Sequence, residues 1–206
     1  PYFKVLKQMK KLGYHRIHLT PEYEGPDLTP LQRYIIMEEL GWGSLGLATA
    51  IGGDQIPFVN AALFGASELY EELVIPWLRD EEGRYHGCWG VTEPEHGSDY
   101  LLCFRDAKVE RFGKGAVIAE KDGDEWVLNG QKSAWVSSAP VATHCGLHAQ
   151  VKDGKNLAHG IFCIVPLDAD GVRKGKPVDM LGMRDDPQGE LFFDDVRIPE
   201  HYVIVA

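Results

Sequence analysis

Three segments of the sequence bring together residue types suited to holding a flat heteroaromatic or anionic ligand. In Trp89-Gly90-Val91-Thr92-Glu93-Pro94-Glu95-His96-Gly97-Ser98-Asp99 an apolar strand runs into a turn. The turn gathers Thr92, Gly97 and Ser98, so backbone amides, hydroxyls and a glycine that permits close approach are offered to one ligand. The same composition also describes an exposed loop. The second segment, Trp126 to Ser138, contains Asn129-Gly130, which predicts a tight turn joining two strands. Trp135 and Ser137 lie two residues apart on the second of those strands and therefore share a face. An indole beside a hydroxyl makes a wall for a flat ring with a polar edge, although a lone tryptophan is more often core. The third segment, Asp179 to Pro199, reads as a polar loop carrying Arg184, a strand and a proline-stopped turn.

Other chemistry is weakly represented. His15-x-x-His18 and His144-Cys145-x-x-His148 are the metal-like spacings, but neither has a second pair nearby to complete a tetrahedron. The latter also falls in a predicted strand, where such residues alternate faces, so no metal site is expected. Cys88, Cys103, Cys145 and Cys163 are widely spaced in apolar or β-like surroundings. Buried free thiols are expected rather than disulfides, which fits a reducing compartment.

The elements that must position these segments change character near residue 84. Before it the periodicity is helical. Val5, Leu6, Met9 and Leu12 mark one helix face with Gly13 as the stop, and Thr29-Pro30-Leu31-Gln32 has the spacing of a capping box. Further helices are predicted at Leu45–Ile51, Asp54–Phe64 and Ser67–Leu78. From His86 onward short strand-like runs alternate with turns: Val117–Glu120 and Glu125–Leu128 around an Asp122-Gly123 hairpin, then Cys145–Val151, Gly160–Val165 and Glu190–Phe193. The prediction is an α+β protein with an amino-terminal α-helical bundle domain, residues 1–84, followed by an antiparallel β-barrel or sandwich domain, residues 85–206.

Composition sets outer limits. The 206 residues suit one large or two small domains, and 44% hydrophobic content is enough for a substantial core. With 21 basic and 31 acidic residues the formal charge is −10, and the basic residues form no stripe, which argues against nucleic acid as a partner. No run of 18 apolar residues predicts a membrane span. Pro1-Tyr2-Phe3-Lys4 is neither a methionine start nor a signal peptide and reads as a chain cut within a helical region. With no targeting segment in view, the expected location is the cytoplasm.

The three segments together carry a resemblance. Thr92-Glu93-Pro94 followed by Gly97-Ser98-Asp99 resembles the Thr-Glu-Pro-x-x-Gly-Ser-Asp motif of the acyl-CoA dehydrogenase family. Leu128-Asn129-Gly130-Gln131-Lys132 with a following Trp resembles that family's next strands, and Leu181-Gly182-Met183-Arg184 through Phe193-Asp194-Asp195-Val196-Arg197-Ile198-Pro199 its closing strand. Pro21-Glu22-Tyr23-Glu24-Gly25, Glu38-Glu39-Leu40-Gly41 and Phe64-Gly65 follow the family's order in the first half.

The resemblance implies a helical domain, a β-barrel middle domain and a further helical bundle, with FAD bound between them. It also implies α,β-dehydrogenation of an acyl-CoA thioester, in which a carboxylate removes the α-proton and a hydride passes to the flavin. Trp89, Val91 and Thr92 are then expected at the flavin ring, Gly97 and Ser98 at the pyrophosphate side or the thioester, with Ser98 contacting substrate, and Trp135, Val136 and Ser137 at the other edge of the ring. An electron-transfer flavoprotein is the implied electron acceptor, and the complete protein is expected to be a homo-oligomer. Acyl-CoA oxidases and flavin monooxygenases share the architecture, and a non-catalytic flavin- or acyl-CoA-binding fragment is the remaining alternative.

Departures from the family pattern are specific. Glu95-His96 stand where many members have Gly-Ala, and Ser133-Ala134 place one more residue than usual before Trp135. Arg105–Gly115 reads as an extended surface excursion. Glu93 belongs to the motif in a structural role, so no catalytic base is assigned in this chain, and the base-bearing helical bundle is expected to be absent from it.

Overall fold

The computed structural model describes residues 2–100 and 113–206. Helices form the amino-terminal part and strands the remainder, giving an α+β protein. Helix α1 (Tyr2–Lys11) stops before Gly13, which turns left-handed at φ 83°. Helix α2 (Pro30–Gly43) opens with the expected reciprocal cap: the Gln32 amide donates to Thr29 Oγ1, and the Thr29 amide donates to Gln32 Oε1. The helices expected at Leu45–Ile51 and Asp54–Phe64 are a single one, α3 (Leu45–Phe64). Neither Gly52-Gly53 nor Pro57 ends it. The carbonyl that the Pro57 ring opposes is that of Gly53, the residue whose backbone tilts most easily.

The run expected as one helix from Ser67 to Leu78 is built in three pieces: α4 (Ser67–Leu69), a π-helical segment (Tyr70–Val74) and α5 (Ile75–Leu78). Pro76 lacks the amide that would bond the Glu72 carbonyl, so the ladder shifts register ahead of it. Trp77 of α5 is fully buried and stacks on Phe58 of α3, with centroids 4.8 Å apart and planes 10° off parallel.

The strands are β1 (Gly87–Gly90), β2 (Val117–Asp122), β3 (Glu125–Ser137), β4 (His144–Val151), β5 (Gly160–Pro166), β6 (Val172–Lys174), β7 (Gln188–Pro199) and β8 (Val203–Val205). They form one sheet in the order β6-β7-β3-β2-β4-β5-β8, with β1 also paired to β4. Most pairings are antiparallel, as expected. β1–β4 and β2–β4 are parallel, a pairing that needs long connections and leaves no local turn signal. The β2–β3 turn is Gly123-Asp124, one residue later than predicted, because Asp122 pairs with Glu125 and Gly123 takes φ 63°.

Asn129-Gly130 does not turn, and β3 runs straight through it. Between Leu128↔Val196 and Gly130↔Phe193 the ladder loses register to a bulge on β7. Asn129 fills that bulge: its amide donates to Asp195 Oδ1 at 2.8 Å, and its carbonyl accepts from the Asp195 backbone at 2.9 Å. Gly130 (φ 131°) passes so close to β2 that a Cβ would lie 1.9 Å from the Ala116 carbonyl oxygen.

The sheet encloses a core in which Cys88, Cys145 and Cys163 are buried free thiols. Cys103 and most of the Arg105–Gly115 stretch lie outside the described residues. A second core joins Phe58, Leu73 and Trp77 to Phe162 and Ile164 of β5, fastening the helices to the sheet. Gly87 makes this closeness reach the start of β1, since a Cβ there would lie 2.2 Å from the Asp54 carbonyl oxygen of α3.

His15, His144 and His148 sit inside these cores. Burial pulls them down to about 4, 4 and 3 respectively, below the ordinary value of 6.5. Each must therefore stay neutral in the fold. Their contribution is complete above pH 6.5 and is lost as pH falls from 6.5 toward 4, at about 1.4 kcal/mol per pH unit for each histidine that must charge. Urea unfolding midpoints measured from pH 7.5 to 4.5 are expected to fall below pH 6.5; a flat profile would show these rings are not held neutral.

Candidate functional site

The turn after β1 is anchored from beneath. Glu93 Oε1 lies 2.7 Å from Lys132 Nζ of β3, and both side chains are fully enclosed. Lys132 also donates to the Val91 carbonyl at 3.1 Å and lies 4.4 Å from the centroid of the Tyr100 ring. Glu93 accepts from the Tyr100 hydroxyl and from the backbone amides of Ala116 and Val117. Burial pulls the Lys132 ammonium below its ordinary value, and the Glu93 carboxylate opposes that pull. The Ser133 amide donates to the Thr92 carbonyl at 2.9 Å, completing the tie to β3. Glu93 is thus an enclosed fastening, with its oxygens taken up by donors.

His96 closes the same turn. Its backbone carbonyl accepts from the Glu93 amide, Nδ1 faces Asp99 Oδ2 at 2.8 Å, and Nε2 faces the Lys114 carbonyl at 3.0 Å. The two contacts hold the ring to the loop at both nitrogens. Burial pushes the Asp99 carboxyl up, but the His96 ring and the Gly97 amide hold it below its ordinary value. Glu95 is exposed, and His96 is spent on the loop itself.

Above this frame lies a cleft of about 410 Å³. Trp89, Val91, Thr92, Gly97 and Ser98 line it from the first segment, and Trp135 and Ser137 from the second. Val136, the intervening residue, turns its side chain into the sheet core and is not among the residues that line the cleft. The third segment stays outside: Arg184 is exposed and bonds the Met180 carbonyl, while Asp185 accepts from Ser44 Oγ at the start of α3.

The opposite wall is α3, through Thr49, Gly52, Gly53 and Ile56, which the sequence reading did not include. A signal was present: two glycines inside a helix cost about 1 kcal/mol each relative to alanine. A Cβ on Gly52 would meet nothing within 4 Å, and one on Gly53 only Ser137 Cβ at 3.8 Å, so packing does not demand them. They keep the wall low and widen the cleft.

Indole faces with Ile56 and Val91 supply flat apolar contact, and the hydroxyls of Thr92, Ser98 and Ser137 supply a polar edge, as a flat heteroaromatic ring requires. Trp135 is 55% exposed, a large aromatic surface left open on the cleft rim. None of the lining residues is ionisable, so the cleft can grip and orient but cannot itself move a proton. A slightly larger groove, about 470 Å³ between Tyr14, Arg16, Glu24 and Ile36, gathers none of the three segments. Among the described residues no group of three or more potential metal ligands converges, and no helix is long and apolar enough to cross a membrane.

Known proteins resemble this chain in sequence and fold. Residues 1–81 match the family model for the acyl-CoA dehydrogenase N-terminal domain, and residues 88–196 that for the acyl-CoA dehydrogenase middle domain. A glutaryl-CoA dehydrogenase from Desulfococcus multivorans is 29% identical over 99% of the chain and 49% of its own length. Among solved structures, a glutaryl-coenzyme A dehydrogenase in complex with glutaryl-CoA superposes with a TM-score of 0.81 at 25% identity, covering 100% of this chain and 49% of that one. A glutaryl-CoA dehydrogenase from Mycobacterium smegmatis in complex with FADH2 has the same fold, with a TM-score of 0.79 at 24% identity over 98% of this chain and 47% of that one. The chain spans about half the length of the relatives it matches.

The enclosed pair yields a stability test. Glu93→Gln or Lys132→Met alone strands a buried charge and is expected to cost about 3–5 kcal/mol in chemical denaturation. The double variant is expected to recover much of that loss. Single variants as stable as the parent would show that the pair does not hold the turn.

Proposed function

Because the chain belongs to the acyl-CoA dehydrogenase family, we propose that its cleft holds the flavin of FAD against the thioester of an acyl-CoA, for α,β-dehydrogenation to the enoyl-CoA. The observation that carries this reading is the convergence of Trp89, Val91, Thr92, Gly97, Ser98, Trp135 and Ser137 on one uncharged cleft from two segments of the chain. The FADH2 and glutaryl-CoA complexes of the structural neighbours support the choice of ligands. Bound there, FAD supplies the acceptor for a hydride.

The chain's own residues bind and orient. Trp89 and Trp135 give the ring apolar faces, the hydroxyls of Thr92 and Ser137 meet its polar edge, and Gly97 and Ser98 leave room for the pyrophosphate side or the thioester. The α-proton is left to a carboxylate outside the cleft lining, since Glu93 is enclosed with Lys132. Residues 1–84 and 85–206 form the two domains in this reading. Electron-transfer flavoprotein is the proposed electron acceptor, and the whole protein is proposed to be a homo-oligomer.

Titration with FAD is expected to quench tryptophan fluorescence and to give a flavin absorbance that stays with the protein. Trp135→Ala is expected to weaken binding about three- to tenfold. A chain that takes up no FAD overturns the reading. Anaerobic bleaching of the bound flavin by an acyl-CoA, with reoxidation by electron-transfer flavoprotein rather than oxygen, would separate a dehydrogenase from an oxidase. A requirement for reduced flavin supplied by a partner would mark a monooxygenase.

A further inference from the structure

Ser137 and Gln188 face each other at the end of the β3–β7 ladder, past the register shift that follows Lys132. Behind them is Asp186, whose side chain is buried where the loop before β7 meets the start of α3. The fit is close enough that a Cβ on Gly46 would lie 3.0 Å from the Asp186 amide nitrogen. Gln188 Nε2 donates to Asp186 Oδ2 at 2.9 Å and reaches Ser137 Oγ at 3.4 Å.

The carboxylate decides which way the amide points. Turned over, Gln188 would present its carbonyl oxygen to another acceptor. With nitrogen toward Asp186, its two protons serve both oxygens. Ser137 Oγ is then an acceptor on its buried side, and its own proton must go elsewhere. Among the described residues no hydrogen bond takes that proton, and the open side of Ser137 is the cleft.

We propose that Gln188, oriented by the buried Asp186 carboxylate, is a positioning residue that makes the Ser137 hydroxyl a hydrogen-bond donor facing the cleft, toward a ring nitrogen or carbonyl acceptor of the ligand. Neither Gln188 nor Asp186 lines the cleft, and both act through Ser137. A hydroxyl that accepts one hydrogen bond becomes the stronger donor of the next, which favours this direction of the relay. The identity of the acceptor as flavin rests on the FAD reading above; the relay does not.

Two measurements separate these. In the free chain, the paired Gln188 side-chain amide resonances are expected to move in both Asp186→Asn and Ser137→Ala. Asp186→Asn removes the charge but keeps an oxygen that can accept from Gln188 Nε2, and Oδ1 has no hydrogen-bond partner to lose. Resonances indifferent to either substitution would overturn the relay. With FAD bound, Gln188→Met and Ser137→Ala are each expected to shift the flavin absorption maximum and to weaken binding about three- to tenfold, the range of one hydrogen bond. The double variant is expected to do no more than either single one. A normal spectrum in Gln188→Met beside an altered one in Ser137→Ala, or fully additive effects, would overturn the positioning role. No FAD uptake by the parent chain would overturn the cofactor reading alone, and the amide resonances would then decide the relay.

Discussion

Two opposite charges shut away from water, Glu93 and Lys132, set the constraint around which the site is arranged. Removing such ions from solvent costs several kcal/mol each, and Coulombic attraction offsets this only when the remaining donors and acceptors are also satisfied. Here Tyr100, two backbone amides, a backbone carbonyl and an aromatic face do that work. Those partners come from the turn after β1 and from the start of β2, and Lys132 itself from β3, so satisfying the pair fixes these pieces relative to one another. The rim carrying Thr92, Gly97 and Ser98 is fastened to the sheet through them.

The facing wall is brought up by a different device. Asp54 of α3 accepts from the Gly87 amide at 3.1 Å and lies 3.3 Å from His86 Nδ1. Because Gly87 has no side chain, β1 can lie against the α3 backbone. The cleft is the gap that remains once α3 has been drawn onto the sheet at Gly87 and the turn has been pinned by Glu93. Its width at the top follows from Gly52 and Gly53.

What could be read in advance divides along local and distant contacts. The Thr29–Gln32 cap and the β2–β3 hairpin were legible because each is complete within a few residues. Alternation placed Trp135 and Ser137 on one face, and the structure places both on the cleft. Val136, between them, has its side chain in the sheet core. Asn129-Gly130 was misread as a turn because its partner, Asp195, is distant in sequence and outbids the local preference. The α3 wall and the Glu93–Lys132 pair were invisible for the same reason: nothing around Gly52, or around Lys132, announces what it will meet across the fold. Gly52-Gly53, where the sequence reading divided the helix, is accommodated within α3.

The neutrality of the cleft lining has a further consequence. Walls built of indoles, hydroxyls and glycine exert no long-range field, so they cannot draw a charged ligand in from solution or be screened by added salt. Recognition there is a matter of contact: shape and hydrogen bonds act only once the ligand has arrived. Capture and chemistry that depend on charge must therefore be contributed by other surfaces, and the cleft can serve ligands with quite different charged groups while gripping the same neutral portion of each.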